Sequence, residues 1–191
     1  LNVDEHRKPF LNNLSFEIAI SHANHLAAVI IYEGKKVGVD IEKISERILK
    51  IKNKFLSSEE LSFIAAANEL EQLHVCWGAK ESLFKLYGKG SLPFIDGIKI
   101  ANFEYGKTAE IAASIAIPAY HANFNVQYLK YEDFVSARYS FYANRYDFLR
   151  IAKTMMDDWH NDTCAGKYLK TIYENRVKKK DNTKEADDVG V

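Results

Sequence analysis

Asp40 and Glu42 stand two residues apart in the segment Val37-Gly38-Val39-Asp40-Ile41-Glu42. The apolar residues around them read as a strand, and strand side chains two apart project from the same face. Two carboxylates side by side repel each other unless a cation neutralises them. A divalent ion with oxygen ligands does this well, and Mg²⁺ commonly takes one or two carboxylates together with substrate phosphates. The plain alternative is a pair of solvated acids at a strand end. For the pair taken alone that alternative is favoured, because charged side chains are mostly exposed.

A second cluster lies in Trp77-Gly78-Ala79-Lys80-Glu81-Ser82-Leu83-Phe84-Lys85. Trp77, Glu81 and Lys85 recur at i, i+4 and i+8 and share one helical face. A carboxylate and an ammonium on one face could complete a metal site and grip a phosphate. An exposed Glu–Lys pair, worth about 0.3–0.5 kcal/mol, explains the same spacing. Trp77 by itself reads as a core anchor. Ser82 has no histidine placed by sequence to activate it, so a serine nucleophile is weakly supported. His22, in Ile20-Ser21-His22, either donates to a phosphate oxygen or is a satisfied histidine at a strand end. The remaining histidines share no metal-ligand spacing, and neither do Cys76 and Cys164.

The elements that position these residues are legible in outline. Residues 7–11 read as an extended segment, because Pro9 biases Lys8 away from helix. Residues 16–21, 26–32 and 37–41 read as strands of a small antiparallel meander, with a turn at Glu33-Gly34-Lys35-Lys36. Helical spacing follows over 44–55. A helix capped at Ser57 or Ser58 is expected to run to about Leu73. Another is expected from Val75 to Tyr87, stopped by Gly88 and Gly90. Strand patterns return at 95–103, 110–117, 124–131 and 134–141. The order implies an α+β fold, with antiparallel sheets packed against helices.

The chain has 191 residues, 47% hydrophobic and 27% charged, enough apolar content for a real core. Its 26 Lys and Arg balance 26 Asp and Glu. A nucleic-acid binder usually carries a basic excess, so no nucleic-acid partner is expected. The longest uncharged run, 111–129, contains Pro118, His121, Asn123, Asn125 and Gln127, so no membrane span is expected. No export leader is visible, and the two cysteines form no disulfide framework, which points to the cytoplasm. Beyond Tyr142, the residues Phe148, Ile151, Met155 and Trp159 share a helical face, and Tyr168 to Tyr173 suggest a second short helix. The organisation expected is 1–42 and 43–141 as the folded body, 142–177 as a helical appendage and 178–191 as a disordered tail.

Together, the Asp40–Glu42 segment and the Trp77–Lys85 segment some forty residues on resemble the paired signature of the 4′-phosphopantetheinyl transferase superfamily. Lys8-Pro9-Phe10, Ile20-Ser21-His22 and Gly88-Lys89-Gly90 resemble that family's further motifs, in the right order. They point to its two-lobed type, and the resemblance covers roughly residues 7–141. It implies a pseudo-twofold, two-lobed fold whose first lobe is incomplete, because only 39 residues precede Asp40. Leu1 in place of Met suggests that the numbering starts inside a longer product.

The resemblance implies Mg²⁺-dependent transfer of the phosphopantetheine arm of coenzyme A to a serine of an acyl or peptidyl carrier protein. Adenosine 3′,5′-bisphosphate is the by-product, and fatty-acid or secondary-metabolite synthesis the context. Asp40, Glu42 and Glu81 would hold the metal, and Glu81 would be the base. Lys85 and His22 would contact phosphate. Lys8, Pro9, Phe10 and Ser21 would line the coenzyme, and Lys80 would lie near the site. The rival reading is a truncated, non-catalytic homologue that binds a carrier protein or coenzyme A weakly. Glu81→Gln and Lys85→Ala are expected to lose turnover but keep the fold.

Overall fold

Among the described residues, strand propensity and tight turns build two antiparallel sheets, and one long helix lies against the second. The computed structural model describes residues 2–12, 15–24 and 26–139, and the backbone of 150–153. The first sheet contains β1 (Asn2–Val3), β2 (Pro9–Phe10), β3 (Phe16–Ala23) and β4 (Leu26–Glu33) in that order. β3 and β4 pair along their full length, from Phe16 opposite Glu33 to Ala23 opposite Leu26. The other edge of β4 is covered by β10 (Arg150–Lys153), with Arg150 opposite Val29 and Lys153 opposite Leu26.

β5 (Gly38–Lys43) departs from the expected meander. It leaves the first sheet and pairs with β9 (Phe134–Tyr139), Asp40 opposite Ala137. The second sheet runs β5-β9-β8-β7-β6. β6 (Ile98–Ile100) is shorter than the expected strand over 95–103, because Phe94–Gly97 turn as helix α4 first. β7 (Thr108–Ile117) and β8 (Tyr120–Tyr131) form a long hairpin, Ile117 opposite Tyr120, with Pro118 suited to the first turn position.

The expected helix over 57–73 is interrupted. After the short α1 (Lys52–Phe55), α2 (Ser58–Ser62) starts in a capping box. Ser57 Oγ accepts from Glu60 N, and the Glu60 carboxylate accepts from Ser57 N. A 3₁₀ turn at Ala66–Asn68 then leads into α3 (Glu69–Tyr87). The break expected near His74 is absent. His74 is buried inside α3, where its Nδ1 donates to Leu70 O and its Nε2 accepts from Ser45 N. That pair of bonds fixes a neutral tautomer, and burial lowers its pKa, with the hydrogen bond to Leu70 opposing. α3 ends at Gly88, whose φ of 66° is the left-handed conformation glycine adopts without strain.

Leu73, Val75, Ala79 and Leu83 of α3 pack with Ile98, Ile115 and Val126 of the second sheet in the larger core. Val39 and Ile41 of β5 join Ala28 and Ile30 of β4 in a smaller one. Each fully buried aliphatic side chain contributes about 1.5–3 kcal/mol. The unit that holds both sheets runs to Lys153, with 150–153 as one of its strands. Ile151 therefore lies in a strand, not on the helical stripe expected for 148–159. Phe148, Met155, Trp159, the second short helix and the tail fall outside the described residues. Among the described residues no helix is long and apolar enough to cross a membrane.

Gly38 is where β5 meets α3 most closely. A Cβ there would stand 1.9 Å from the backbone oxygen of Ser82 and 3.1 Å from Leu86 Cβ. Helix backbone cannot yield as a side-chain tip can, so Gly38→Ala is expected to cost at least about 3 kcal/mol. Denaturant unfolding measures it, and a loss below about 1 kcal/mol would show that the helix moves freely on the strand.

Candidate functional site

The pleat of β5 sends Val39 and Ile41 into the smaller core and turns Asp40 and Glu42 toward α3. α3 answers with Trp77, Glu81 and Lys85, one residue per turn along the same face. Lys85 meets Asp40, with Nζ 2.6 Å from Oδ1. Trp77 meets Glu42, with Nε1 donating to Oε1 at 3.2 Å. The expected core role of Trp77 holds in part: its ring packs edge-on to Phe55 at 5.0 Å and against Phe94 at 5.5 Å. Its indole N–H adds a polar function that the sequence did not suggest.

Asp40 is almost completely buried, yet only one of its carboxylate oxygens is occupied. Oδ1 accepts from Lys85 and, at 2.8 Å, from Ser21 Oγ. Oδ2 is buried with no hydrogen-bond partner. A buried carboxylate oxygen without a partner is costly, and most such atoms are paired. Oδ2 lies against the helix backbone at Gly78: a Cβ there would come within 3.6 Å of Oδ2 and 3.2 Å of Ala137 Cβ.

Glu81 lies in the same field. Burial, followed by the charge of Asp40, pushes its pKa up to about 7, with Lys85 opposing and Glu42 adding. Glu42 is raised in the same way, by burial first and Asp40 second. Three carboxylates thus crowd one another, with the Lys85 ammonium as their counter-charge. That excess of negative charge, an unpartnered buried oxygen and an all-oxygen donor set fit a hard divalent cation. The carboxylates share one neighbourhood but are not yet a coordination sphere. Among the described residues no three His, Cys, Asp or Glu side chains are already grouped to hold an ion.

Lys80 is not brought to this cluster. Its side chain is fully buried, and Nζ donates to the Glu60 carboxylate, Phe94 O and Ile98 O, each at 2.8 Å. All three ammonium protons are used. Glu60 in turn accepts from Ile100 N at 2.9 Å, so this ion pair ties α2, α3, α4 and β6 together. Sequence reasoning missed Glu60. Its only local signal was the capping pattern with Ser57. Ser82 is also buried, its Oγ donating to Ala79 O, which leaves no nucleophile there. Cys76 is buried, and burial pushes its thiol up to about 12.

His22 is exposed, and the alternation of β3 points it away from the side on which Ser21 meets Asp40. Lys8, Pro9 and Phe10 line a cavity of about 340 Å³ together with Asp4, Phe16 and Glu17. Lys8 Nζ pairs with Glu17 Oε2 at 2.6 Å. Its stem lies across the turn after α3, where a Cβ on Gly88 would stand 2.7 Å from Lys8 Cδ. Partial burial, then the charge of Lys8, lowers the Lys36 ammonium, with Glu17 opposing and Lys89 adding. The Lys8-Pro9-Phe10 segment and the Gly88-Lys89-Gly90 turn are therefore neighbours in a basic corner.

Residues 36–138, which carry both the acidic strand and the helix face, match the family model of the 4′-phosphopantetheinyl transferase superfamily. The chain belongs to that superfamily. It is 31% identical over 125 residues to 4′-phosphopantetheinyl transferase ffp of Bacillus subtilis, covering 63% of this chain and 53% of that protein. It is 30% identical over 126 residues to 4′-phosphopantetheinyl transferase Sfp of Bacillus subtilis (strain 168), with the same coverages. To 4′-phosphopantetheinyl transferase gsp of Aneurinibacillus migulanus it is 32% identical over 90 residues, 46% of this chain and 37% of that one. The chain thus spans about half the length, or less, of the curated relatives it matches.

Proposed function

We propose that the chain transfers the phosphopantetheine arm of coenzyme A to a serine of an acyl or peptidyl carrier protein, with a divalent cation held by Asp40, Glu42 and Glu81. The observation that carries this is the buried, unpartnered Oδ2 of Asp40 among three carboxylates. A cation bound there, Mg²⁺ by family resemblance, would neutralise charge developing on the pyrophosphate.

The chain's own residues do the rest. Glu81, with a pKa near neutrality, is poised to take the proton of the carrier serine as its oxygen attacks the β-phosphorus of the coenzyme. The bond from that phosphorus to the bridging oxygen breaks, and adenosine 3′,5′-bisphosphate departs. Lys85 supplies a point charge to the pyrophosphate. Lys8, Pro9 and Phe10 receive the adenine end in their cavity, and His22, by family resemblance, donates to a phosphate. Operation in the cytoplasm belongs to the same proposal.

An apo carrier protein incubated with the purified chain, coenzyme A and Mg²⁺ is expected to gain the phosphopantetheine mass by mass spectrometry. An unmodified carrier that still binds the chain would establish the non-catalytic reading instead.

A further inference from the structure

His74 sits inside α3, only 3% exposed, and takes no part in the carboxylate cluster. Both of its ring nitrogens face main chain. Nδ1 donates to Leu70 O at 2.8 Å, one turn back in the same helix, and Nε2 accepts from Ser45 N at 3.2 Å. Ser45 opens the 3₁₀ turn Glu46–Lys50 that follows β5, and its own side chain makes no capping bond to that turn. The amide at the entry of the turn is thus held from another element, 29 residues on in the chain.

A second backbone group of the same connection bears on the ring. The Lys43 carbonyl is within its hydrogen-bonding reach and favours a proton there. Because Leu70 O takes Nδ1, that carbonyl competes for Nε2. A neutral ring with its hydrogen on Nδ1 offers a lone pair at Nε2, which suits Ser45 N–H. A protonated ring donates from both nitrogens, which suits Lys43 O and repels Ser45 N–H. One proton therefore exchanges partners two residues apart, while the bond to Leu70 O serves both states.

The charges around the ring are few. Glu71 of α3 favours the proton, and it pairs with Lys130 of β8 at 3.4 Å. Glu42 is engaged by Trp77. Arg138 of β9 lies opposite Val39 and shares its face, away from α3. Lys43, Glu46, Arg47, Lys50 and Asp133 are exposed. Burial outweighs the groups that favour the proton, so the neutral ring is the resting form at neutral pH.

We propose that His74 is a proton-operated latch on the turn from β5 into Glu46–Lys50: the neutral ring closes the turn through Ser45 N, and the protonated ring releases Ser45 and takes Lys43 O. Two contacts stay in place in both states. Asp133 O accepts from Ile44 N at 2.7 Å, and Trp77, three residues along α3, donates to Glu42. Acid therefore loosens the turn and leaves the strand where it is.

The test follows amide exchange of the full, metal-free chain by NMR from about pH 8 to about pH 4.5, with the ring nitrogens read in the same samples. A free histidine titrates near 6.5 and the folded ring below it, so the change falls on the acid side of that value. Protection of the Ser45 amide is expected to fall about three- to tenfold along the ring's own titration, the weight of one hydrogen bond. His74→Gln keeps an acceptor for Ser45 N and has no proton to gain, so its Ser45 protection is expected to stay level. A Ser45 amide that ignores the titration of the ring overturns the latch. So does a ring that stays neutral until the chain unfolds in acid. An equal fall in His74→Gln would assign the change to another group and overturn it as well.

Discussion

Glu81→Gln is expected to leave the chain folded and more stable above neutral pH, while carrier modification falls by about 10²- to 10⁴-fold. The two effects share a cause. In the unfolded chain the carboxyl releases its proton near pH 4.5, but in the fold burial and Asp40 hold it until about 7. Between those values the native state binds more protons than the unfolded state, so stability falls as pH rises through that window. Above pH 7 the penalty is complete, and it is absent below 4.5. Glutamine never ionises, so the variant escapes it. After allowance for solvent reaching the carboxyl, the difference is about 1–2 kcal/mol. Thermal melting of the metal-free chain at pH 5 and pH 8 measures it. Equal pH dependence in the two proteins would show that Glu81 does not carry the crowded charge. Unaltered carrier modification would remove it from the chemistry.

Lys80→Met is expected to act in the opposite sense, lowering stability by about 3–5 kcal/mol while molecules that remain folded keep their activity within a few-fold. The variant leaves the Glu60 charge buried without its cation and strands the carbonyls of Phe94 and Ile98. Adding Glu60→Leu removes the lone charge but also takes the acceptor from Ser57 N and Ile100 N, so recovery is partial. Denaturant unfolding with activity normalised to folded protein separates the possibilities. A hundredfold loss of activity per folded molecule, with stability unchanged, would return Lys80 to the catalytic machinery.

These two neighbours show what a sequence can and cannot reveal. Asp40 with Glu42, and Trp77 with Glu81 and Lys85, were legible because their spacings, two on a strand and four on a helix, are local periodicities. Lys80 occupies the next position in the same helix, but its partner Glu60 lies twenty residues away. No local pattern distinguishes a lysine that faces a cleft from one that faces a buried acid. Sheet membership was hidden for the same reason. β5 follows β4 closely in the chain, and its apolar run suits either sheet. The choice is made by β9, almost a hundred residues later, whose Ser136 Oγ also donates to Asp40 O. The continuity of α3 was obscured by His74, a polar residue in an apolar row. Its ring satisfies two backbone groups that the sequence alone does not bring together.

The close approach at Gly38 has a consequence for how the protein can vary. With a Cβ forbidden there, strand and helix touch main chain to main chain, and no side chain acts as a spacer between them. The span from the acidic strand to the helix that answers it is therefore a property of the backbone and does not depend on how the surrounding apolar residues fill space. Related sequences are free to exchange leucine, isoleucine and valine throughout both cores without retuning the distance between Asp40 and Lys85. Drift in the core and precision at the cluster are uncoupled, and the glycine that separates them has no side chain to contribute to either.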